Sequence, residues 1–308
     1  MGSDEVLRFA TLRVSVVLAL VAAELLAGCD RPADPTQSAP WRNGEIVFVR
    51  SRGRDTELVL LNPATGSEHQ LTTGPGMRSS PAWSPDGSML AFARRRPDDP
   101  GSLGFNLYVL DVGTGALRRL TTGRWIDASP TWSPDGRTVA FSSNRGEPFG
   151  IYVVRSDGGS PARLADGTSP SWSADGREIV FERRVGGTSD LWVMSADGGD
   201  ARTVTTGPWD DRDPAWAPDA SEIAFASDRS GDFDLYVVDV STREVRRLTA
   251  GPADDLSPAW APDGSAIAFS RAVRDSSNVW LVGADGGPAR RLTDDPLFDV
   301  TPAWRPRR

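Results

Sequence analysis

Residues 129–145 read Ser129-Pro130-Thr131-Trp132-Ser133-Pro134-Asp135-Gly136-Arg137-Thr138-Val139-Ala140-Phe141-Ser142-Ser143-Asn144-Arg145. Proline presets φ at the second position of a turn, Asp favours the turn, and Gly supplies a positive φ. Flanked by Trp132 on one side and Val139 to Phe141 on the other, the Ser-Pro-Asp-Gly segment predicts a β-hairpin. The same text recurs along the chain. Trp stands at 83, 132, 172, 216, 260 and 304, each two residues after a Pro, at spacings of 49, 40, 44, 44 and 44. A Phe follows nine residues after each of the first five, at Phe92, Phe141, Phe181, Phe225 and Phe269. Ala220 once takes the Gly position, which costs about 1 kcal/mol if that residue keeps a positive φ.

A third strand follows each hairpin and carries an aromatic residue: Tyr108, Tyr152, Trp192, Tyr236 and Trp280. Tight turns such as Asp157-Gly158-Gly159 come next, and then a fourth strand ending in pairs such as Leu120-Thr121 and Leu248-Thr249. Four short strands per period of about 40–45 residues is the signature of a propeller blade. The ends supply the closure. Glu45-Ile46-Val47-Phe48 matches the second strand of a blade, with no Trp at position 39. The missing first strand is Thr301-Pro302-Ala303-Trp304 at the other terminus. The prediction is therefore all-β: a six-bladed β-propeller of four-stranded blades, closed by the C-terminal strand pairing with the N-terminal blade and leaving no open edge. The repeated Trp and Phe are expected to pack between adjacent blades, each contributing about 1.5–3 kcal/mol on burial.

Composition narrows the function. The chain has 308 residues and a net charge of −8, and Arg supplies every one of its 34 basic residues. A basic stripe for nucleic acid is not present, so no nucleic-acid partner is expected. One Cys (Cys29) and one His (His69) exclude an internal disulfide and a Cys/His zinc site.

The first residues read as a targeting segment. Arg8 and Arg13 precede the apolar run Val14 to Gly28, which is short for a bilayer span and suits a secretion signal. It ends in Leu26-Ala27-Gly28-Cys29, which resembles the bacterial lipobox, where the signal peptide is cut before a Cys that then carries lipid. The expected organisation is a lipoprotein signal peptide over 1–28, a flexible tether over 29–43 rich in Pro, Asp, Ser and Ala, and the propeller over 44–308. Multiple acyl chains on Cys29 would hold the protein stably on a membrane, where a single chain is marginal. The expected place is the cell envelope: exported and lipid-anchored, in the periplasm or on the outer face of the cytoplasmic membrane.

The repeat Ser-Pro-Ala-Trp-Ser-Pro-Asp-Gly, followed by Val-Ala-Phe-Ser-Ser-x-Arg, an Ile-Tyr-Val strand and Asp-Gly-Gly, resembles the TolB-type, WD-like propeller repeat over all six blades. That resemblance implies the propeller fold and an envelope setting. Where TolB carries a separate α/β domain before its propeller, the expectation here is a signal and tether only. Peptidases built on similar propellers need an α/β-hydrolase domain, which is not found. A fold does not carry a function by itself.

No Gly-x-Ser-x-Gly nucleophile elbow occurs, and His69 reads as an exposed residue of an outer strand. Three residues before the blade Pro stand Asp127, Asp211, Asp255 and Asp299. Grouped around a central channel, these carboxylates would offer oxygen ligands to a cation such as Ca²⁺; the other reading is that each satisfies its own turn. Irregularities mark a second candidate. The connection around Ala165 to Ser169 is four residues shorter than its equivalents, and its neighbours carry Trp125 and Trp209 at one slot. Trp and Arg are typical binding hot spots. A notch over the fourth blade, flanked by Trp125 and Trp209 with Arg124, Arg212 and Phe298 on the same face, is one expectation; the other is that both indoles fold onto their own loops. The function expected is a non-catalytic binding or scaffold protein that docks an envelope protein, a peptide or a cell-wall component on the channel face. The alternative is a carbohydrate-active hydrolase or lyase using channel carboxylates.

Overall fold

A computed structural model describes residues 44–96, 104–273 and 275–306. Cys29, the signal segment and the tether lie outside these residues.

The first blade contains β1 (Ile46–Arg52), β2 (Asp55–Leu61) and β3 (Glu68–Gln70). The second is β4 (Met77–Trp83), β5 (Met89–Arg95), β6 (Asn106–Asp111) and β7 (Leu117–Arg119). The third is β8 (Asp127–Trp132), β9 (Thr138–Ser143), β10 (Gly150–Arg155) and β11 (Ala162–Asp166). The fourth is β12 (Thr168–Trp172), β13 (Glu178–Val185), β14 (Thr188–Ser195) and β15 (Arg202–Thr203). The fifth is β16 (Asp211–Trp216), β17 (Glu222–Ser227), β18 (Asp234–Asp239) and β19 (Val245–Arg247). The sixth is β20 (Asp254–Trp260), β21 (Ala266–Val273), β22 (Ser276–Gly283) and β23 (Arg290–Arg291). The chain then returns: β24 (Asp299–Trp304) pairs antiparallel with β1, Ile46 opposite Trp304, and completes the first blade. All six sheets are four-stranded, and each inner strand touches the next around the ring.

The repeated aromatics pack where the spacing places them. Phe48, Phe92, Phe141, Phe181, Phe225 and Phe269 are fully buried. Phe92 and Trp83 of the second blade meet Val47, Val49, Leu58 and Leu60 of the first in one cluster. Three indoles also stitch blades by hydrogen bonds, Trp132 Nε1 donating to Ala82 O and Trp260 Nε1 to Ala215 O at 3.1 Å, and Trp83 Nε1 to Ala303 O at 3.3 Å.

Each inner strand carries a feature the sequence does not announce. The residue before the blade Pro adopts a left-handed φ of 50–54° in every blade: Ser80, Ser129, Ser169, Asp213, Ser257 and Thr301. A register shift accompanies each one, as between Ala128 and Thr131 against β9. This bulge bends the inner strand, and each non-glycine residue held there costs about 1–3 kcal/mol. Neighbouring blades help to hold the conformation. Ser169 N donates to Ser142 Oγ at 2.8 Å, Asp213 N to Glu182 Oε1 at 2.7 Å and Thr301 N to Ser270 Oγ at 2.9 Å.

Ala220 does occupy the glycine position of its turn with φ 60°. Ala220→Gly is expected to raise the unfolding free energy by about 1 kcal/mol, read from the urea midpoint. A lowered midpoint would show that the turn has no strain to relieve.

Candidate functional site

The loops between second and third strands, and the connections leading into the inner strands, lie together on one face of the ring. The four aspartates at this end are buried, Asp127, Asp211 and Asp299 at 0 % exposure and Asp255 at 1 %. Each is taken up by an arginine from the second strand of its own blade or just beyond it. Arg50 donates to Asp299 through Nε and Nη2, both at 2.8 Å, and Arg271 to Asp255 at 2.6 and 2.7 Å. Arg229 Nη2 reaches both oxygens of Asp211, at 2.9 and 3.0 Å. Asp127 accepts from Arg145 and, at 2.7 Å, from Ser143 Oγ.

This geometry corrects the cation-ring expectation for Asp127, Asp211, Asp255 and Asp299. Oxygen ligands for Ca²⁺ must converge with lone pairs free. Here each carboxylate faces a guanidinium of its own blade, and among the described residues no three Asp, Glu, His or Cys side chains form a metal-binding group. The alternative expectation, satisfaction of each turn's own backbone, is also not what these carboxylates chiefly do.

The arginines form a ring of their own. One per blade lies over an aromatic ring of that blade. Arg50 sits 5.0 Å from the Phe48 centroid, Arg145 6.0 Å from Phe141, Arg229 5.3 Å from Phe225 and Arg271 5.3 Å from Phe269. In the other two blades the same place is held by Arg94, 5.7 Å from Tyr108, and Arg183, 4.9 Å from Trp192. Stacking on a π face and pairing with a carboxylate use different surfaces of the planar guanidinium, so four of these arginines do both.

The two remaining blades break the pattern differently. In the second, Arg78 occupies the slot of the ring aspartate and is 1 % exposed. Its guanidinium donates to four backbone carbonyls: Thr56 at 2.5 Å, Gly76 at 2.9 Å, Thr73 at 2.8 Å and Gly74 at 2.9 Å. Glu57 Oε2 lies 3.6 Å away. In the fourth blade the slot is Gly167, the single residue between β11 and β12. The short connection read from the sequence is therefore real. Asp190 stands opposite Arg183 across β13 and β14, yet keeps Oδ1 buried with no partner. Burial, with the nearby charges of Asp211 and Asp210, raises its pKa.

The predicted partner-binding residues differ in exposure and in what they touch. Trp125 is half-buried and rests on Gly123, whose added Cβ would lie 2.9 Å from Trp125 Cδ1. Trp209 is half-buried on Gly207, with its Nε1 enclosed and without a partner, and Arg229 lies 5.3 Å over its ring. Both indoles thus rest on glycines of their own loops and stay half-exposed. Arg212 is half-buried, bonded to Asp210 at 2.5 Å and stacked 4.9 Å over Phe233. Phe298 packs against the cluster between blades one and two. Arg124 alone of the five is exposed, 5.6 Å over Trp125. His69 is exposed on β3, as its sequence neighbours imply. The signal for the folded indoles was present: Gly123 and Gly207 stand two residues before the Trp in each loop.

A closed ring of six four-stranded blades, with an arginine over an aromatic ring in each, defines a β-propeller of the repeat type described above. Residues 34–168 and 165–256 match the TolB beta propeller domain, and the chain belongs to that family. Among solved structures, it is similar to TolB from Acinetobacter baumannii (TM-score 0.76, 19 % identity, covering 86 % of this chain and 67 % of that one). It is also similar to the putative TolB from Agrobacterium tumefaciens (TM-score 0.68, 25 % identity, 82 % and 89 % covered). An oligogalacturonate lyase in complex with manganese shares the fold at a TM-score of 0.54, with 19 % identity and 80 % and 73 % covered. A search of the curated proteins gave no match.

Proposed function

We propose that the protein is a non-catalytic binding module of the bacterial cell envelope, exported and held on a membrane through acylated Cys29. It docks an envelope protein, a peptide or a cell-wall component on the face that carries the inner-strand connections. One observation carries this reading: all four ring aspartates are engaged by arginines, so the carboxylates best placed for acid–base work are not free for it. Two-carboxylate chemistry needs one group to accept a proton while its partner gives one, and here the oxygens that would do so already accept hydrogen bonds from arginine. The shared fold of the manganese-bound oligogalacturonate lyase favours a second reading, as a carbohydrate-active hydrolase or lyase. That reading requires carboxylates other than the four in the ring.

The test is site-specific photocrosslinking in intact cells. A photoreactive residue at Arg124, on the connection-bearing face, is expected to give a discrete adduct. The same group at Leu117, 42 % exposed on the outer strand β7, is expected to give none. Adducts from Leu117 alone would move the docking surface to the outer strands.

A further inference from the structure

Arg183 differs from the four paired arginines in a single respect. Like Arg50 and Arg271 it follows the blade phenylalanine by two residues on the second strand, and like all four it stacks on an aromatic ring of its blade. Unlike them it meets no aspartate, because Gly167 fills the slot that Asp127, Asp211, Asp255 and Asp299 fill elsewhere. Asp190, its cross-strand neighbour, forms no ion pair with it among the described residues. The second blade also lacks the aspartate, but there the connection keeps its full length and Arg78 fills the slot. In the fourth blade the connection is four residues shorter, and Gly167 brings no side chain to the slot.

We propose that Arg183, beside the shortened connection at Gly167, is a docking point for a carboxylate carried by a peptide ligand. The protein's own repeat defines the ligand chemistry. Four times over, this guanidinium position is matched to an Asp side chain on an extended peptide strand. A peptide whose carboxylate meets Arg183 reproduces the pair, and its main chain follows the path of the four missing residues. Bidentate guanidinium–carboxylate pairing is geometrically specific, and half-burial protects it from solvent screening. Asp190 opposes an incoming anion and sets a limit on affinity. The inference rests on the reading of the protein as a binding module. It is separable from it, because crosslinks through Arg124 do not depend on Arg183.

The experiment titrates the purified protein with tetrapeptides, following Trp192 fluorescence. One peptide has capped ends and a single Asp. A second is all Ala with a free C-terminus, and a third is capped with Asn in place of Asp. Saturable binding of the first or second peptide is expected; which of the two binds tells a side-chain carboxylate from a terminal one. Arg183→Gln is expected to weaken binding about tenfold, and Asp190→Asn to tighten it about threefold. Arg183 in the wild type is also expected to react with phenylglyoxal faster than Arg229, and the bound peptide is expected to slow that reaction. Equal binding of the Asn peptide, unchanged affinity in Arg183→Gln, or no binding by either carboxylate peptide overturns the proposal.

Discussion

Arg78→Met is expected to lower the unfolding free energy by about 3–5 kcal/mol, the range for removing one partner of a buried charged network. The guanidinium is enclosed and serves carbonyls from two blades, Thr56 on β2 and Gly76 before β4, together with Thr73 and Gly74 in the connection between them. Met fills much of the volume but offers no donor, so four carbonyls lose their partner at once. Glu57 then keeps a buried carboxylate, already raised in pKa by burial, without the nearby cation that lowers it. Urea unfolding read by Trp fluorescence measures the loss. Arg78→Lys is expected to recover little, since one ammonium cannot reach four carbonyls spread around a planar fork. Glu57→Gln added to Arg78→Met is expected to restore about 1 kcal/mol by removing the stranded charge. A cost below about 1 kcal/mol for Arg78→Met would mean that water replaces the guanidinium, and that the residue does not join the two blades.

Gly167→Ala is the second large effect, expected at about 3 kcal/mol from backbone strain and overpacking together. Gly167 has φ +148°, and an added Cβ would lie 2.6 Å from both Glu182 O and Phe181 Cδ2. Neither neighbour can move: one is strand backbone and the other a fully buried ring. Gly207→Ala is the matched control in the next connection along the ring. Its Cβ would meet the indole of Trp209 at 2.5 Å, with φ +159°. That indole belongs to a half-buried side chain on a connection and can swing away, so the control is expected to cost about 1 kcal/mol less. The same urea titrations check both, and equal costs would show that the neighbour's freedom does not matter.

The fold was legible because its determinants are short, periodic and local. Trp, Pro, Phe and the Asp-Gly turn repeat at fixed offsets, and the unmatched ends at Ile46 and Trp304 complete each other. The short connection at Gly167 was also legible, since spacing alone exposes it. The site was read less well. The aspartates were visible as a ring, but their arginines follow the blade Phe by two residues at Arg50 and Arg271 and by four at Arg145 and Arg229. A partner with no fixed offset does not show as a period, so the sequence offered a cation ring or turn satisfaction but not the arginine pairs. Arg78 sits in the aspartate slot with the opposite charge, and only the carbonyls converging on it explain its burial. The indoles of Trp125 and Trp209 read as hot spots because aromatic residues in loops usually do; their glycines decide otherwise.

The pairing of β24 with β1 also governs the order in which the molecule can be made. Strand β1 is the first of the described strands to emerge in synthesis, and its partner β24, carrying Asp299, is the last of them. Until then Ile46–Arg52 presents an unpaired edge, Arg50 lacks its Asp299 partner, and Trp83 lacks the carbonyl of Ala303. A newly made chain therefore waits with an adhesive strand exposed to pairing with other chains. Its yield in the cell should depend on how quickly the last strand follows the first, and on whatever shields that edge meanwhile.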